Sequence, residues 1–132
     1  MDIKDLRIGD RVTTKTLTNT SEMPPMVVGL DRCGEVSVNI DNYNVCVFND
    51  SDIKGVRVTD ELLIAFGAWY DNKKLEHIFT FKGGLRIAVR KNAGSDYYTA
   101  APIGQYKPKY CNFTNLHTFQ HWLWDVYKIE LG

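Results

Sequence analysis

Residues 109–131 read KYCNFTNLHTFQHWLWDVYKIEL, the stretch of this sequence with sustained helical periodicity. Its apolar residues recur at spacings of three and four, which a helix places on one face that has to be buried. The residues of this face are Leu116, Phe119, Leu123 and Val126. Either Asn112 or Thr114 is expected to cap the helix, because its side-chain oxygen accepts from a free N–H group of the first turn. The stretch therefore predicts a C-terminal helix around which the rest of the chain is organised.

A shorter helix is predicted at 58–67, where both ends carry terminal signals. Thr59 is a favourable N-cap, and the carboxylates of Asp60 and Glu61 suit the positive end of the helix dipole. Gly67 suits the left-handed position that closes a helix. The segment is about two turns long, so tertiary packing has to hold it.

Alternating apolar residues predict two antiparallel hairpins. In the first, a two-residue loop at Asp41-Asn42 aligns apolar residues with each other. Its pairs are Ile40 with Tyr43, Val38 with Val45, and Val36 with Val47. In the second, a three-residue turn at Lys82-Gly83-Gly84 gives a core side and a half-polar side. Its pairs are Phe81 with Leu85, Phe79 with Ile87, His77 with Val89, Thr80 with Arg86, Ile78 with Ala88, and Glu76 with Arg90.

These elements predict an α+β protein. The strands favour a strongly curved antiparallel sheet or a small SH3-like barrel, extended by the second hairpin and by an antiparallel strand at 97–101. One short middle helix and one C-terminal helix complete it. The length of 132 residues favours one compact domain, with a barrel-like β lobe at 1–54 and an α/β lobe at 55–132. The polar stretch at 13–25, which ends in two prolines, predicts a loop.

The composition limits the classes of partner. Sixteen basic residues balance 16 acidic residues, so the molecule as a whole does not attract a polyanion from a distance. No apolar run approaches the ~20 residues of a membrane-spanning helix, and the start MDIKDLRIGD lacks the layout of a secretory signal. We expect a cytoplasmic protein without a membrane partner, in which nucleic-acid binding is disfavoured and the thiols of Cys33, Cys46 and Cys111 are reduced.

The sequence carries no clear catalytic or metal-binding motif. His117 and His121 lie one helical turn apart, but two imidazoles make too few ligands and no acidic or cysteine partner is spaced nearby. There is no Gly-x-Ser-x-Gly elbow, and no Gly-rich loop opens a helix on a phosphate. We therefore expect a protein that is not an enzyme and uses no metal or cofactor.

Basic and aromatic residues gather in the second half of the sequence. Guanidinium groups fork onto phosphate oxygens and tyrosine rings stack on bases, which is the minimum equipment for holding a nucleotide. The candidate ligand-binding residues are Arg86, Arg90, Tyr97, Tyr98, Lys107 and Tyr110. Strands also carry tyrosines and solvent-facing cations in the absence of any ligand, and this alternative stays open.

Three segments resemble a family of small proteins carried by phages and prophages of Bacteroidetes. They are LRIGDRV at 6–12, GVRVTDELLIAFGA at 55–68 and the stretch at 109–131. Members of that family open with a Leu-Arg-x-Gly-Asn-x-Val-like segment, carry a Leu-Thr-x-Glu-x-Leu-x-x-x-Gly helix and close with an aromatic amphipathic helix. The resemblance implies a phage accessory protein in the cytosol of a bacterial host, a setting in which small phage proteins often disarm host defence.

The function expected from residues and resemblance together is non-catalytic binding. The leading hypothesis is sequestration of a nucleotide immune signal, such as a cyclic nucleotide, or of another anionic small molecule. The alternative is a protein-interaction module for a host or phage protein, with a homo-oligomer formed through Trp122 and Trp124. A nucleic-acid-binding small barrel is the second alternative, which the neutral net charge disfavours.

Overall fold

The computed structural model describes residues 1–14, 23–31, 33–40 and 44–131. Within these ranges, ten strands form three open antiparallel sheets, and two α-helices accompany them. The strands are β1 Val12–Thr14, β2 Met26–Leu30, β3 Glu35–Asn39, β4 Val45–Asn49, β5 Ile53–Gly55, β6 Trp69–Asp71, β7 Glu76–Thr80, β8 Arg86–Lys91, β9 Tyr98–Pro102 and β10 Cys111–Phe113. The helices are α1 Asp60–Ala65 and α2 Leu116–Tyr127. The predicted α+β class, with antiparallel sheets, a short middle helix and a C-terminal helix, is confirmed.

The chain divides into two compact units, Met1–Arg57 and Val58–Gly132. The first unit holds a two-stranded sheet, β1-β5, and a three-stranded sheet in the order β2-β3-β4. The second unit holds both α-helices and a five-stranded sheet in the order β10-β9-β8-β7-β6.

The core of the first unit forms from the inward side of each short strand and from the start of the chain. Its buried residues are Leu6, Val12, Val27, Val36, Val38 and Ile53. The N-terminal amino group donates to the carbonyl oxygens of Asp50 and Ile53, each at 3.1 Å. Most of the loop predicted at 13–25 and the predicted turn at Asp41-Asn42 lie outside the described residues.

The register of the hairpin formed by β3 and β4 differs from the prediction by one residue. Val38 pairs with Cys46, not with Val45, and the offset holds along the whole hairpin. The Ile40 N–H group donates to the Asn44 carbonyl at 2.9 Å. Three residues of the sequence lie between these two paired residues, whereas the prediction had two between Ile40 and Tyr43. Because a one-residue shift turns every side chain to the other face, the valines of β4 face outward.

The hairpin formed by β7 and β8 has the predicted register. Phe79 pairs with Ile87 and Thr80 with Arg86, and the turn at Lys82-Gly83-Gly84 is the expected three-residue one. The strand predicted at 97–101 is observed as β9, antiparallel to β8.

The C-terminal helix α2 packs on one face of the five-stranded sheet, which we call the inner face. The ring centroid of Phe119 lies 5.6 Å from that of Phe79 and 4.8 Å from that of Phe113. Leu116 and Leu123 are buried as well, so three of the four residues of the predicted apolar face are fully buried. The opposite face of this sheet is the outer face.

The two helices begin differently with respect to their predicted caps. In α1, Thr59 accepts a hydrogen bond from the Leu62 N–H group at 3.2 Å, as predicted. The N-cap of α2 is Asn115, and neither Asn112 nor Thr114 takes that position. Asn112 belongs to β10 instead, where its neighbours on both sides are buried and it is exposed, the alternation of a strand rather than a helix.

Candidate ligand-binding site

The structure separates the six predicted ligand-binding residues into two groups at opposite ends of β8 and β9. Arg86 and Arg90 both project from the outer face of β8, but they are four residues apart, which corresponds to about 13 Å along a strand. Arg90, Tyr97 and Tyr98 lie near the turn that connects β8 to β9. The remaining three residues lie at the other end.

Arg90 makes its polar contacts with β7 and with the turn that precedes it. Its guanidinium group donates to the Lys74 carbonyl at 2.9 Å and lies 3.8 Å from the carboxylate of Glu76. The ion pair is exposed and worth little energetically. These contacts nevertheless direct the guanidinium group toward β7, in line with the predicted pairing of these two residues.

Tyr98 is part of the core of the second unit. Its side chain is on the inner face, where the ring stacks on Phe113 at 6.0 Å between centroids. The hydroxyl donates to the Asp60 carboxylate at 2.8 Å. Burial, and then the hydrogen bond and the negative charge of Asp60, raise the pKa of Tyr98. A side chain held in this way supports α1, while Tyr97, its neighbour, is exposed.

Arg86, Lys107 and Tyr110 lie at the end of the sheet where β8 begins and β9 ends. The Ile103 N–H group donates to the Arg86 carbonyl at 2.9 Å, which fixes the start of the 103–110 loop beside β8. The Lys107 ammonium group lies 5.6 Å from the centroid of the Tyr106 ring. Tyr106 is 89% exposed, and Tyr110 is 65% exposed.

The two segments at this end carry positive charge without a compensating carboxylate. Segments 80–86 and 102–110 contain four basic residues and no acidic residue. We call the exposed cations and tyrosines of these segments the basic end; they are Lys82, Arg86, Tyr106, Lys107, Lys109 and Tyr110. The opposite end of the sheet is mixed in charge, since Asp71, Glu76 and Asp96 accompany its cations.

Three members of the basic end, Tyr106, Lys109 and Lys82, are not among the six candidate residues predicted from the sequence, and Lys82 is the one outside the 103–110 loop. It lies in the turn between β7 and β8, whose register the sequence predicts correctly. That register already places the turn beside Arg86, so the predicted hairpin was sufficient to add Lys82 to the cluster. Tyr106 and Lys109 lie in the same loop as two residues that were selected.

The basic end has the chemistry of a binding surface. Its guanidinium and ammonium groups suit phosphate oxygens, and its exposed rings suit stacking on bases. Cys111, at the start of β10, directly follows Tyr110 in the chain. Burial raises the pKa of its thiol to about 11, so it stays protonated and a poor nucleophile near neutral pH.

The histidines do not assemble a metal centre in the described part of the chain. The rings of His117 and His121 lie 5.7 Å apart between centroids. His77 is buried on the inner face, where its ring contacts that of Tyr70 at 4.8 Å. Among the described residues, no group of three or more histidine, cysteine or acidic side chains is placed to hold a metal ion.

Comparison of the chain with family models, with curated proteins and with solved structures gives no match. The resemblance to the phage family therefore stays a prediction. Neither helix in the described ranges has the length and apolar character needed to cross a membrane.

Proposed function

We propose that this protein is a non-catalytic binding protein whose basic end holds an anionic, nucleotide-type ligand. The observation that carries the proposal is the placement of Arg86, Lys107 and Tyr110 at one end of the sheet, in segments that contain four basic and no acidic residues. This grouping retains half of the residues selected from the sequence. Of the other half, Arg90 contacts neighbouring backbone, Tyr98 belongs to the core, and Tyr97 is exposed at the opposite end of the sheet. Cations and a tyrosine from the same two segments take their place in the proposed site.

The chemistry of these side chains favours a nucleotide over a simple anion. Inorganic phosphate would need only the cations, whereas Tyr106 and Tyr110 expose aromatic rings beside them. Base–aromatic stacking contributes about 1–3 kcal/mol per base, so a ligand with both a base and a phosphate uses all the exposed groups. Segments 80–86 and 102–110 contain no histidine, cysteine or carboxylate, so lysine and tyrosine are the general acid–base residue types present in them. Their composition supports binding without chemical conversion.

Binding without conversion is sufficient for a protein that removes a signal from solution. The resemblance to phage accessory proteins supports a role in which the protein sequesters a nucleotide immune signal of the host. In that role the affinity has to suffice at cellular ligand concentrations, and turnover is not required.

The proposal is tested by isothermal titration calorimetry with cyclic dinucleotides and cyclic ADP-ribose isomers. Arg86→Ala is the test variant, and Arg90→Ala is the matched control, since both residues project from the outer face of the same strand. Loss of a charge-assisted contact costs about 1.5–3 kcal/mol, so Arg86→Ala should weaken binding at least about tenfold. Arg90→Ala should leave the affinity unchanged.

Two outcomes would contradict the proposal. One is the absence of binding heat with every ligand of the series. The other is binding that Arg90→Ala weakens and Arg86→Ala does not, which would locate the ligand at the mixed end of the sheet.

A second candidate function is protein interaction through exposed aromatic side chains. Trp69 and Trp124 are both exposed, and tryptophan is among the residues that most often anchor protein interfaces. Trp122, the other predicted contact, is half-buried and packs within α2 against Phe119 and Tyr127, at 6.1 and 5.5 Å between centroids. Affinity capture from bacterial lysate tests this function. The parent protein should capture a partner, and the Trp124→Ala variant should not.

A further inference from the structure

The strand β4 carries two valines that face water. It is the last strand of the sheet ordered β2-β3-β4, and β3 is its only partner among the described strands. Val45 is 58% exposed and Val47 is 59% exposed. Cys46 and Phe48, which alternate with them, are half-buried on the other face. The outward face of this strand is therefore apolar at Val45 and Val47 and ends in the polar Asn49.

β4 also lacks the features by which edge strands usually avoid pairing. Natural edges carry charges, prolines or bulges that prevent another strand from docking. The segment 44–49 reads NVCVFN, with no charge and no proline, and its pairing with β3 is continuous. The opposite edge of the same sheet is different, because β2 contains a register shift between Val27 and Gly29. The two edges thus differ in their protection.

The hydrogen-bond pattern shows which backbone groups of β4 point to the open edge. The Asn44 carbonyl accepts from Ile40, and the Asp50 N–H group donates to the Gly34 carbonyl at 2.8 Å. Residues 44 and 50 therefore point toward β3. Because this direction alternates along an antiparallel strand, the N–H and C=O groups of Val45, Val47 and Asn49 point away from it.

We propose that β4 pairs with β4 of a second copy of this chain, antiparallel, about a twofold axis at Val47. In this register Val47 lies opposite Val47 of the second copy, and Val45 lies opposite Asn49. The Asn49 carbonyl already accepts within the 3-10 turn Asp50–Asp52, so the remaining open groups of the two copies form about four backbone hydrogen bonds across the axis. The two three-stranded sheets join into one of six strands.

The second copy is the occupant that the strand itself specifies. A docking strand must be uncharged, must present open backbone groups at every second residue and must carry apolar side chains on the same face as the valines. β4 meets these conditions at Val45 and Val47. On the inward face, the pairing places Cys46 opposite Phe48 of the second copy, a favourable contact of sulfur with an aromatic ring.

The test is sedimentation equilibrium of the full chain, with Val47→Lys as the test variant and Val28→Lys as the control. Val28 is an exposed valine on the opposite edge of the same sheet. Val47→Lys places two like charges opposite each other at the axis, so the dimer dissociation constant should rise at least about tenfold. Val28→Lys should leave it unchanged. A parent chain that stays monomeric up to about 1 mM, or a dimer that Val47→Lys does not weaken, overturns the proposal.

Disulfide trapping tests the register independently of the affinity. Directly opposed hydrogen-bonded residues have Cα atoms about 5.5 Å apart, within the range that a disulfide spans. Cys33 is exposed, so it is first replaced by serine. The double variant Cys33→Ser/Val47→Cys should form a dimer linked through residue 47 under mild oxidation. Cys33→Ser alone should form no linked dimer. A disulfide through Cys46 in the parent protein would overturn the axis at Val47.

Discussion

Tyr98 connects the five-stranded sheet to the helix α1 through a single side chain. The residue is buried, and its hydroxyl donates to Asp60, the first residue of the helix, at 2.8 Å. The sequence placed Tyr97 and Tyr98 together in one ligand cluster. Side chains alternate along a strand, so only one of the two could be exposed, and the sequence alone did not settle which.

Removing the hydroxyl of Tyr98 should destabilise the protein without disturbing the core. We expect Tyr98→Phe to lower the free energy of unfolding by about 1–2 kcal/mol, since the lost hydrogen bond is to a charged acceptor that water can reach. Urea denaturation measures this change. Tyr97→Phe is the control, and its exposed ring should give a change under about 0.5 kcal/mol. Equal losses for both variants would refute the structural role of Tyr98.

His77 makes stability depend on pH on the acidic side. Burial lowers the pKa of His77 from its ordinary value, against the opposing attraction of Asp60 and Glu61. Below about pH 6.5, the unfolded chain takes up a proton that the folded chain does not, so this residue's contribution to stability is lost as the pH falls toward its folded pKa. An NMR titration of the His77 ring should give a midpoint below 6.5, and Asp60→Asn should lower it further. A midpoint at or above 6.5 in the parent would be inconsistent with the buried site.

At the scale of elements, turn length decided which hairpin could be predicted. The second hairpin has Gly83 and Gly84 in its turn, and only the three-residue turn keeps apolar residues together on one face. In the first hairpin the predicted register also aligned valines, but the connection has three residues. Two registers of that hairpin give acceptable pairs, and the one adopted leaves Val45 exposed.

The turn of the second hairpin depends on a left-handed glycine. Gly83 has φ +81°, and an added Cβ would meet no atom within 4 Å, so the cost of substitution is conformational and not steric. Gly83→Ala should lower the free energy of unfolding by about 1–2 kcal/mol. Gly83→Asn should cost less, because asparagine tolerates this conformation better. Urea denaturation compares the two, and an alanine variant as stable as the parent would count against this turn geometry.

The helix α2 stabilises the second unit through its inner side. Phe119 is fully buried between Phe79 and Phe113. Phe119→Ala should cost about 3–5 kcal/mol, because it removes a large side chain and leaves a cavity. Trp124→Ala, on the exposed side of the same helix, should cost under about 1 kcal/mol although it removes a contact with Lys128. Thermal and urea denaturation give both values, and a reversed order would mean that the helix packs on its other side.

At the scale of the whole molecule, the net charge of zero conceals an uneven distribution. The sequence predicted a basic and aromatic cluster in the second half of the chain. Three residues of that cluster, Arg86, Lys107 and Tyr110, belong to the basic end. The predicted pairs, Thr80 with Arg86 and Glu76 with Arg90, already set the two arginines four residues apart on one strand, so their separation followed from the predicted hairpin. The hairpin pattern could not show that the 103–110 loop begins beside Arg86, because that placement depends on the pairing of β8 with β9.

The most direct test of the proposed site is NMR mapping of backbone amides during titration with a cyclic dinucleotide that binds in calorimetry. If the ligand binds at the basic end, the largest chemical-shift changes fall in residues 82–86 and 103–110, and the changes near Arg90 and Tyr97 are small. Shift changes concentrated at 90–97, or spread over the chain without a maximum at the basic end, would contradict it.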